Sequence, residues 1–248
     1  MSRNFDLMQE VENGRTFHGD QTMEPPFSVS GGNNNGNGHR QWAGDGALRL
    51  VQQIFLLQTE APPQTVVFAG IDHGNGCSRM AASVAEILAG TARRAVCLVE
   101  ANFRSPALPA MFGTTNHHGL ADALLQEGPI RSFAKPVCND GLWLLSSGSM
   151  AADSPNLLSS ERLKARVLEL RKEFDFVIVD APPLTRYADA IALGQASDGI
   201  VLVLEAESTR REAALMAVET LRSSKIRILG AVLNKRTFPI PEKIYSRI

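Results

Sequence analysis

Residues Thr65–Ala82 read TVVFAGIDHGNGCSRMAA. The run Thr65–Ala69 is β-branched or apolar and predicts a strand. A glycine-rich turn follows, then a helix from about Ser78 to Leu88. Strand, glycine-rich loop and helix N-terminus make an anion cradle, because successive backbone N–H groups converge on a phosphate and the helix dipole adds partial positive charge. The phosphate-loop pattern G-x-x-x-x-G-K-[ST] is met at Gly76 and Ser78. Ile71 stands where its first glycine would be, and Cys77 where its lysine would be. The stretch has the backbone chemistry for a nucleotide and lacks the cation.

Outward from this stretch, apolar runs recur as strands at Arg94–Val99, Leu142–Leu145, Phe174–Val179, Gly199–Leu204 and Ile226–Leu233. Helical periodicity separates them at Leu108–Phe112, Leu120–Gln126, Leu157–Glu173, Ala188–Ala196 and Glu207–Ser223. Asp45–Gln58 precedes the first strand as a helix, with Leu48, Val51, Ile54, Phe55 and Leu57 on its apolar face. Near-continuous apolar strands alternating with helices predict an α/β fold, a doubly wound, mostly parallel sheet covered by helices on both faces. Residues 1–43 contain Pro25-Pro26 and the tract SGGNNNGNG. Such a segment buries too little apolar surface to offset its ordering entropy, and a disordered tail is expected there. One domain is expected over 44–236, with a short C-terminal tail over 237–248.

Composition narrows the function. A net charge of −1 gives no electrostatic reason to expect nucleic acid as a ligand. Cys77, Cys97 and Cys138 are far apart and form no C-x-x-C pair, which argues against a zinc site or a disulfide framework and for a reducing cytoplasm. No apolar run approaches the ~20 residues of a membrane helix, so any membrane role is expected to come through a partner. His117-His118 has no carboxylate or cysteine at ligand spacing and reads as a solvated loop.

In open parallel sheets the ligand sits beyond the C-terminal strand ends. Three strands here end in polar signatures: the loop Asp72–Ser78, the segment Glu100–Arg104, and Asp180 in VIVDAPP. An acidic residue closing an apolar strand holds Mg²⁺ or its bound water in phosphate-loop NTPases. A lone strand-terminal Asp caps a helix about as often, but three matched strand ends are a less accidental set.

Together these motifs resemble the cytoplasmic kinase domain of the bacterial tyrosine kinases of capsule and exopolysaccharide synthesis, relatives of the MinD/ParA ATPases. The resemblance runs from about Ala47 to Asn234. His73-Gly74-Asn75-Gly76-Cys77-Ser78 occupies the family's P-G-x-G-K-[ST]. Cys97–Pro106, CLVEANFRSP, occupies its second motif, three apolar residues then D-x-D-x-R-x-P, and Val177–Pro183 its intact third, D-x-P-P. The linking text MFG, GLADAL, SPNLLSS and LGAVLN is similar as well. The resemblance implies a phosphate-loop NTPase fold and ATP/ADP with Mg²⁺ as ligands. It places Gly74, Asn75, Gly76, Cys77, Ser78, Arg79 and Asn234 at the nucleotide, Asn234 by analogy with an adenine contact. It places Glu100, Asn102 and Asp180 at the catalytic positions, and Ser78 with Asp180 at the metal. It implies a membrane polysaccharide chain-length protein as partner, a homo-oligomer, and a place in the cytoplasm at the inner face of the plasma membrane.

The departures bear on catalysis. The family's loop lysine stabilises charge developing on the transferred phosphate, and a thiol at Cys77 cannot. Arg79 lies about 200° further round the helix and is poorly directed to replace it. A thiol at a helix N-terminus is a candidate for a lowered pKa and redox reactivity. Asn102 replaces a carboxylate and Glu100 lengthens another. The family's tyrosine-rich tail is reduced to Tyr245, either a single phosphoacceptor or an ordinary surface tyrosine. Its E-x-x-R-x-x-R association helix survives only at Arg49. Three functions remain: a degenerate tyrosine-kinase-like component acting by binding and regulation, an active ATP-dependent tyrosine autokinase, or a MinD/ParA-like positioning ATPase. The VDAPP and SPNLLSS segments favour the polysaccharide branch, and the losses favour the first reading.

Overall fold

A computed structural model describes residues 45–57, 62–92, 94–137, 141–148, 157–159 and 161–235. The expected tails, Tyr245 and Cys138 lie outside the described residues. Seven strands form one sheet: β1 (Thr65–Gly70), β2 (Val96–Glu100), β3 (Lys135–Pro136), β4 (Leu142–Leu145), β5 (Phe176–Ala181), β6 (Gly199–Glu205) and β7 (Ile228–Asn234). Their order across the sheet is β3-β4-β2-β5-β1-β6-β7. The pairs are parallel except β3 with β4. The six strands expected from apolar runs are all present, within about two residues at their ends. β3 was not expected: it is two residues long, carries no apolar alternation and ends in Pro136, which is tolerated because it lies on the sheet edge.

The helices are α1 (Asp45–Val51), α2 (Cys77–Ala92), α3 (Leu108–Met111), α4 (Leu120–Leu125), α5 (Glu161–Glu173), α6 (Asp189–Gln195) and α7 (Arg211–Ser223). The period-two alternation of each strand divides the core into two layers. Val67, Ala69, Val99, Val177 and Val179 face α4, α5 and α6 through Leu120, Leu124, Val167, Leu170 and Leu193. Val66, Phe68, Leu98 and Ile178 face α1, the turn after it and α2 through Leu50, Ile54, Val84 and Leu88. Phe55 meets Phe176 edge to face at 5.5 Å. A parallel sheet covered on both faces leaves only its strand ends for polar chemistry.

Two expectations need correction. The N-terminal helix widens after Val51 into a π turn over Gln52–Leu56, closed by the Leu57 N–H on the Gln52 carbonyl at 2.7 Å. Its inward face is Ala47, Leu50, Val51, Ile54 and Phe55, whereas Leu48 and Leu57 are 42% and 67% exposed. The segment expected as one helix over Leu157–Glu173 is a 3₁₀ turn at Leu157–Ser159 followed by α5.

α5 also carries a buried cation. Arg166 donates to the carbonyls of Ala123 (2.7 Å), Gln126 (2.6 Å) and Gly128 (2.7 Å) and pairs with Glu169 at 2.7 Å. These carbonyls sit at the end of α4 and in the turn beyond it, where no helical N–H reaches them. At the opposite end of the sheet Asp198 accepts the N–H groups of Gln64 and Thr65, both at 2.8 Å, and pairs with Arg171 at 2.7 Å. Burial pushes its carboxyl up, but these N–H groups and Arg171 outweigh it and hold it below its ordinary value. We expect Arg166→Met to lower the unfolding free energy by about 1–3 kcal/mol, because the buried Ala123 carbonyl and the partly buried contacts to Gln126 and Gly128 lose their donor. Urea denaturation measures this, and a change under about 0.5 kcal/mol would contradict the role.

Candidate nucleotide site

β1 delivers the chain into the loop 71–76 at the C-terminal edge of the sheet, beside the ends of β5 and β6. Ile71, at the position of the missing glycine, is fully buried, and its N–H donates to the Val203 carbonyl at 3.2 Å. Gly74 and Gly76 adopt φ of 86° and 81°, a left-handed backbone that a side chain would strain. A Cβ on Gly76 would also strike the Asn234 side-chain amide.

Asn75 locks this geometry. It is 2% exposed; its Oδ1 accepts the Asp72 N–H at 2.6 Å and its Nδ2 reaches Thr209 Oγ1 at 3.4 Å. Asn234, at the end of β7, donates from Nδ2 to the Asn75 carbonyl at 2.8 Å. The residue expected at an adenine therefore holds the loop itself. Thr185, just after the D-x-P-P motif, places its hydroxyl 2.8 Å from the Ile71 carbonyl and 2.9 Å from Asp72 Oδ1. Thr185 and Thr209 carried no sequence signal, because both act across more than a hundred residues.

Glu100 and Asp180 are register partners on β2 and β5, both fully buried. Their surroundings differ. Glu100 Oε2 accepts the N–H groups of Ala107 and Leu108 at 2.8 Å, and Oε1 that of Asn102 at 3.3 Å. Asn102 Oδ1 in turn accepts the Ser105 N–H at 3.3 Å. The expected catalytic pair Glu100 and Asn102 is thus engaged in folding the loop into α3. Arg104 of the same motif lies 4.2 Å over the Tyr187 ring and 3.5 Å from Asp189.

Both oxygens of Asp180 are enclosed and have no hydrogen-bond partner. Burial raises its carboxyl from the ordinary 3.8 to about 6, with the Ser78 hydroxyl, the Cys77 thiol and the Glu100 carboxyl close enough to hold it back. Burial and the Asp180 charge raise Glu100 well above the usual carboxylate range, against the pull of its three N–H donors. Cys77 starts α2 with its thiol toward Asp180 and the end of β1. Burial and the Asp180 charge push the thiol well up, the opposite direction from the lowered pKa that a helix N-terminus made a candidate. Arg79 is exposed on the first turn, and His117 and His118 are exposed before α4.

The arrangement suits a nucleotide phosphate with a divalent cation. A 16-residue helix begins at the loop, and a fully buried carboxylate with two unused oxygens faces its first turn. Ser78 and Asp180 are the groups that would hold Mg²⁺. Among the described residues no three His, Cys, Asp or Glu side chains converge on a metal-sized site, as expected where phosphates and water complete the coordination.

Residues 64–246 match the family described as ParA: NUBPL iron-transfer P-loop NTPase. The chain belongs to these ParA-like P-loop NTPases, in their bacterial tyrosine-kinase branch. It is 33% identical over 171 residues to tyrosine-protein kinase YwqD of Bacillus subtilis (strain 168), covering 69% of this chain and 72% of that one. It is 25% identical over 189 residues to tyrosine-protein kinase wzc of Salmonella typhimurium, covering 76% of this chain but 26% of that protein. The chain therefore spans 72% of the first relative's length and about a quarter of the second's. The VpsO kinase domain shares the fold, with a TM-score of 0.70 at 24% identity over 77% of this chain and 95% of that chain. No helix among the described residues is long and apolar enough to cross a membrane.

A carboxyl whose pKa is higher folded than unfolded takes up a proton on folding. Asp180 therefore costs nothing below about pH 4, and its cost grows as pH rises through about 6. At about 1.4 kcal/mol per unit the full cost is about 3 kcal/mol. We expect Asp180→Asn to stabilise the nucleotide-free protein by about 1–3 kcal/mol at pH 7.5, with the gain vanishing near pH 4. Denaturation across that range tests it, and a pH-independent gain would contradict the assignment.

Proposed function

We propose that this chain is a nucleotide-binding, tyrosine-kinase-like component of a capsule or exopolysaccharide assembly system, acting by binding and regulation rather than by efficient phosphoryl transfer. The observation that carries this reading is the pairing of an intact cradle with a missing cation. Asp180 retains two unengaged oxygens beside Ser78, while the next residue toward the loop is Cys77. The backbone N–H groups of the loop do not depend on the side chain at position 77, so phosphate binding persists. Removing one transition-state charge contact commonly costs ~10²–10³ in rate. Glu100 and Asn102, which would place a general base in the family, are occupied by backbone N–H groups of their own loop. These losses fall together on the transfer step.

The ligands of this reading are ATP or ADP with Mg²⁺ at Ser78 and Asp180. When bound, the ion neutralises phosphate charge, and the chain's own part is to orient the phosphates and exclude water. The partner is a membrane polysaccharide chain-length protein, in line with the family resemblance. Its contact would bring this chain to the inner face of the plasma membrane. The charge balance of −1 favours neither nucleic acid nor an anionic lipid as the direct ligand.

Calorimetric titration of Mg·ADP and Mg·ATP into the full chain, wild type and Cys77→Lys, tests the reading. We expect the wild type to bind both, and Cys77→Lys to bind about 10–100-fold more tightly through one charge-assisted contact. Wild type incubated with radiolabelled ATP is expected to transfer no label to itself or to its partner. Efficient labelling would overturn the regulatory reading in favour of an active kinase.

A further inference from the structure

The loop has a cation that its own motif does not contain. Lys235 follows β7 directly and adopts φ of 56°, a left-handed conformation uncommon for a residue with a side chain. This geometry turns the side chain back across the loop: a Cβ built on Gly76 would lie 4.0 Å from Lys235 Cε. The preceding residue, Asn234, is bonded to the Asn75 carbonyl. Lys235 and the loop are therefore held in register with each other.

The Lys235 ammonium lies 3.0 Å from Glu205 Oε1, with the two side chains 49% and 22% exposed. An ion pair this exposed is weak and readily exchanged. A polyphosphate offers the ammonium a stronger partner. Asp72 and Glu205 are the partly exposed carboxylates beside the loop, whereas Glu100 and Asp180 lie fully buried beneath it. Arg104 is directed at Asp189 and Tyr187, and Arg79 sits about 200° round α2 from Cys77.

We propose that Lys235, reaching over Gly76 from the end of β7, supplies the phosphate-binding cation that position 77 lacks, contacting the phosphate chain of a bound nucleoside di- or triphosphate. This rests on the nucleotide-binding reading above and explains how binding persists without the loop lysine. Lys235 meets the loop at Gly76, outside the helix, so it is a binding residue and not a substitute for the group that stabilises a phosphoryl in transfer.

The test is calorimetry of Mg·ADP with the full chain as wild type, Lys235→Asn, Lys235→Arg, Cys77→Lys and the Cys77→Lys/Lys235→Asn double variant. Asn tolerates the left-handed backbone, so Lys235→Asn removes charge without straining the turn. We expect Lys235→Asn to weaken binding at least about tenfold with an unchanged Tm. Lys235→Arg retains most of the affinity, and the deficit shrinks when Cys77→Lys restores a cation inside the loop. Equal affinity of wild type and Lys235→Asn would overturn the proposal and leave the nucleotide site standing. Binding by Cys77→Lys alone, with none by wild type, would overturn it as well. Absence of binding in every variant, Cys77→Lys included, would bring down the nucleotide reading itself, and the proposal with it.

Discussion

Two carboxylates held side by side out of water are the constraint around which this sheet edge is built. Glu100 and Asp180 close adjacent parallel strands and are both fully buried. Isolated buried charges are expensive, and proteins compensate them with hydrogen bonds, counter-charges or proton uptake. For Glu100 the chain between Asn102 and Leu108 folds back so that three N–H groups meet the carboxylate. Asp180 receives no such bond. Its neighbours are the Ser78 hydroxyl and the Cys77 thiol at the start of α2. One carboxylate is spent on architecture, and the other is left with capacity for something not supplied by the chain.

That asymmetry separates binding from transfer. The features that receive a phosphate are backbone features: two left-handed glycines, a helix start, and an asparagine whose amide fixes the turn. That geometry does not depend on the side chain at position 77, because it is held by the side chains of Asn75, Thr185, Thr209 and Asn234. The features that drive phosphoryl transfer in phosphate-loop enzymes are single charges at single positions, and Cys77 and Asn102 stand at two of these positions in the proposed reading.

Much of this was legible in the sequence, for a physical reason. Parallel strands buried on both faces must be almost wholly apolar, so Val66–Ala69, Val177–Val179 and Ile200–Leu204 announce themselves, and the polar residues closing them mark the ligand edge. Short edge strands escape this logic, as Lys135–Pro136 does. The two leucines expected on the buried face of the first helix, Leu48 and Leu57, turn outward, because five neighbours already fill the contact. Glu100 and Asp180 carry the same strand-ending signature, and nothing local distinguishes the one that folds a loop from the one that stays open. Thr185, Thr209 and Lys235 were invisible for a related reason: their partners lie far along the chain, and no periodicity encodes a contact of that kind. The helix terminus beside Cys77 could be read from the sequence, whereas the carboxylate facing its thiol could not.

The bond between Asn234 and the Asn75 carbonyl joins positions 159 residues apart. It has a consequence for the order in which the molecule is assembled. Non-local contacts form late, after the loop-closure entropy between their ends has been overcome. Synthesis delivers the glycine turn early and β7, which completes it, about 150 residues later. A chain still lacking β7 has strand, turn and helix but no amide to hold the turn closed. In the proposed reading, competence to receive a phosphate is therefore reached only when β7 has docked.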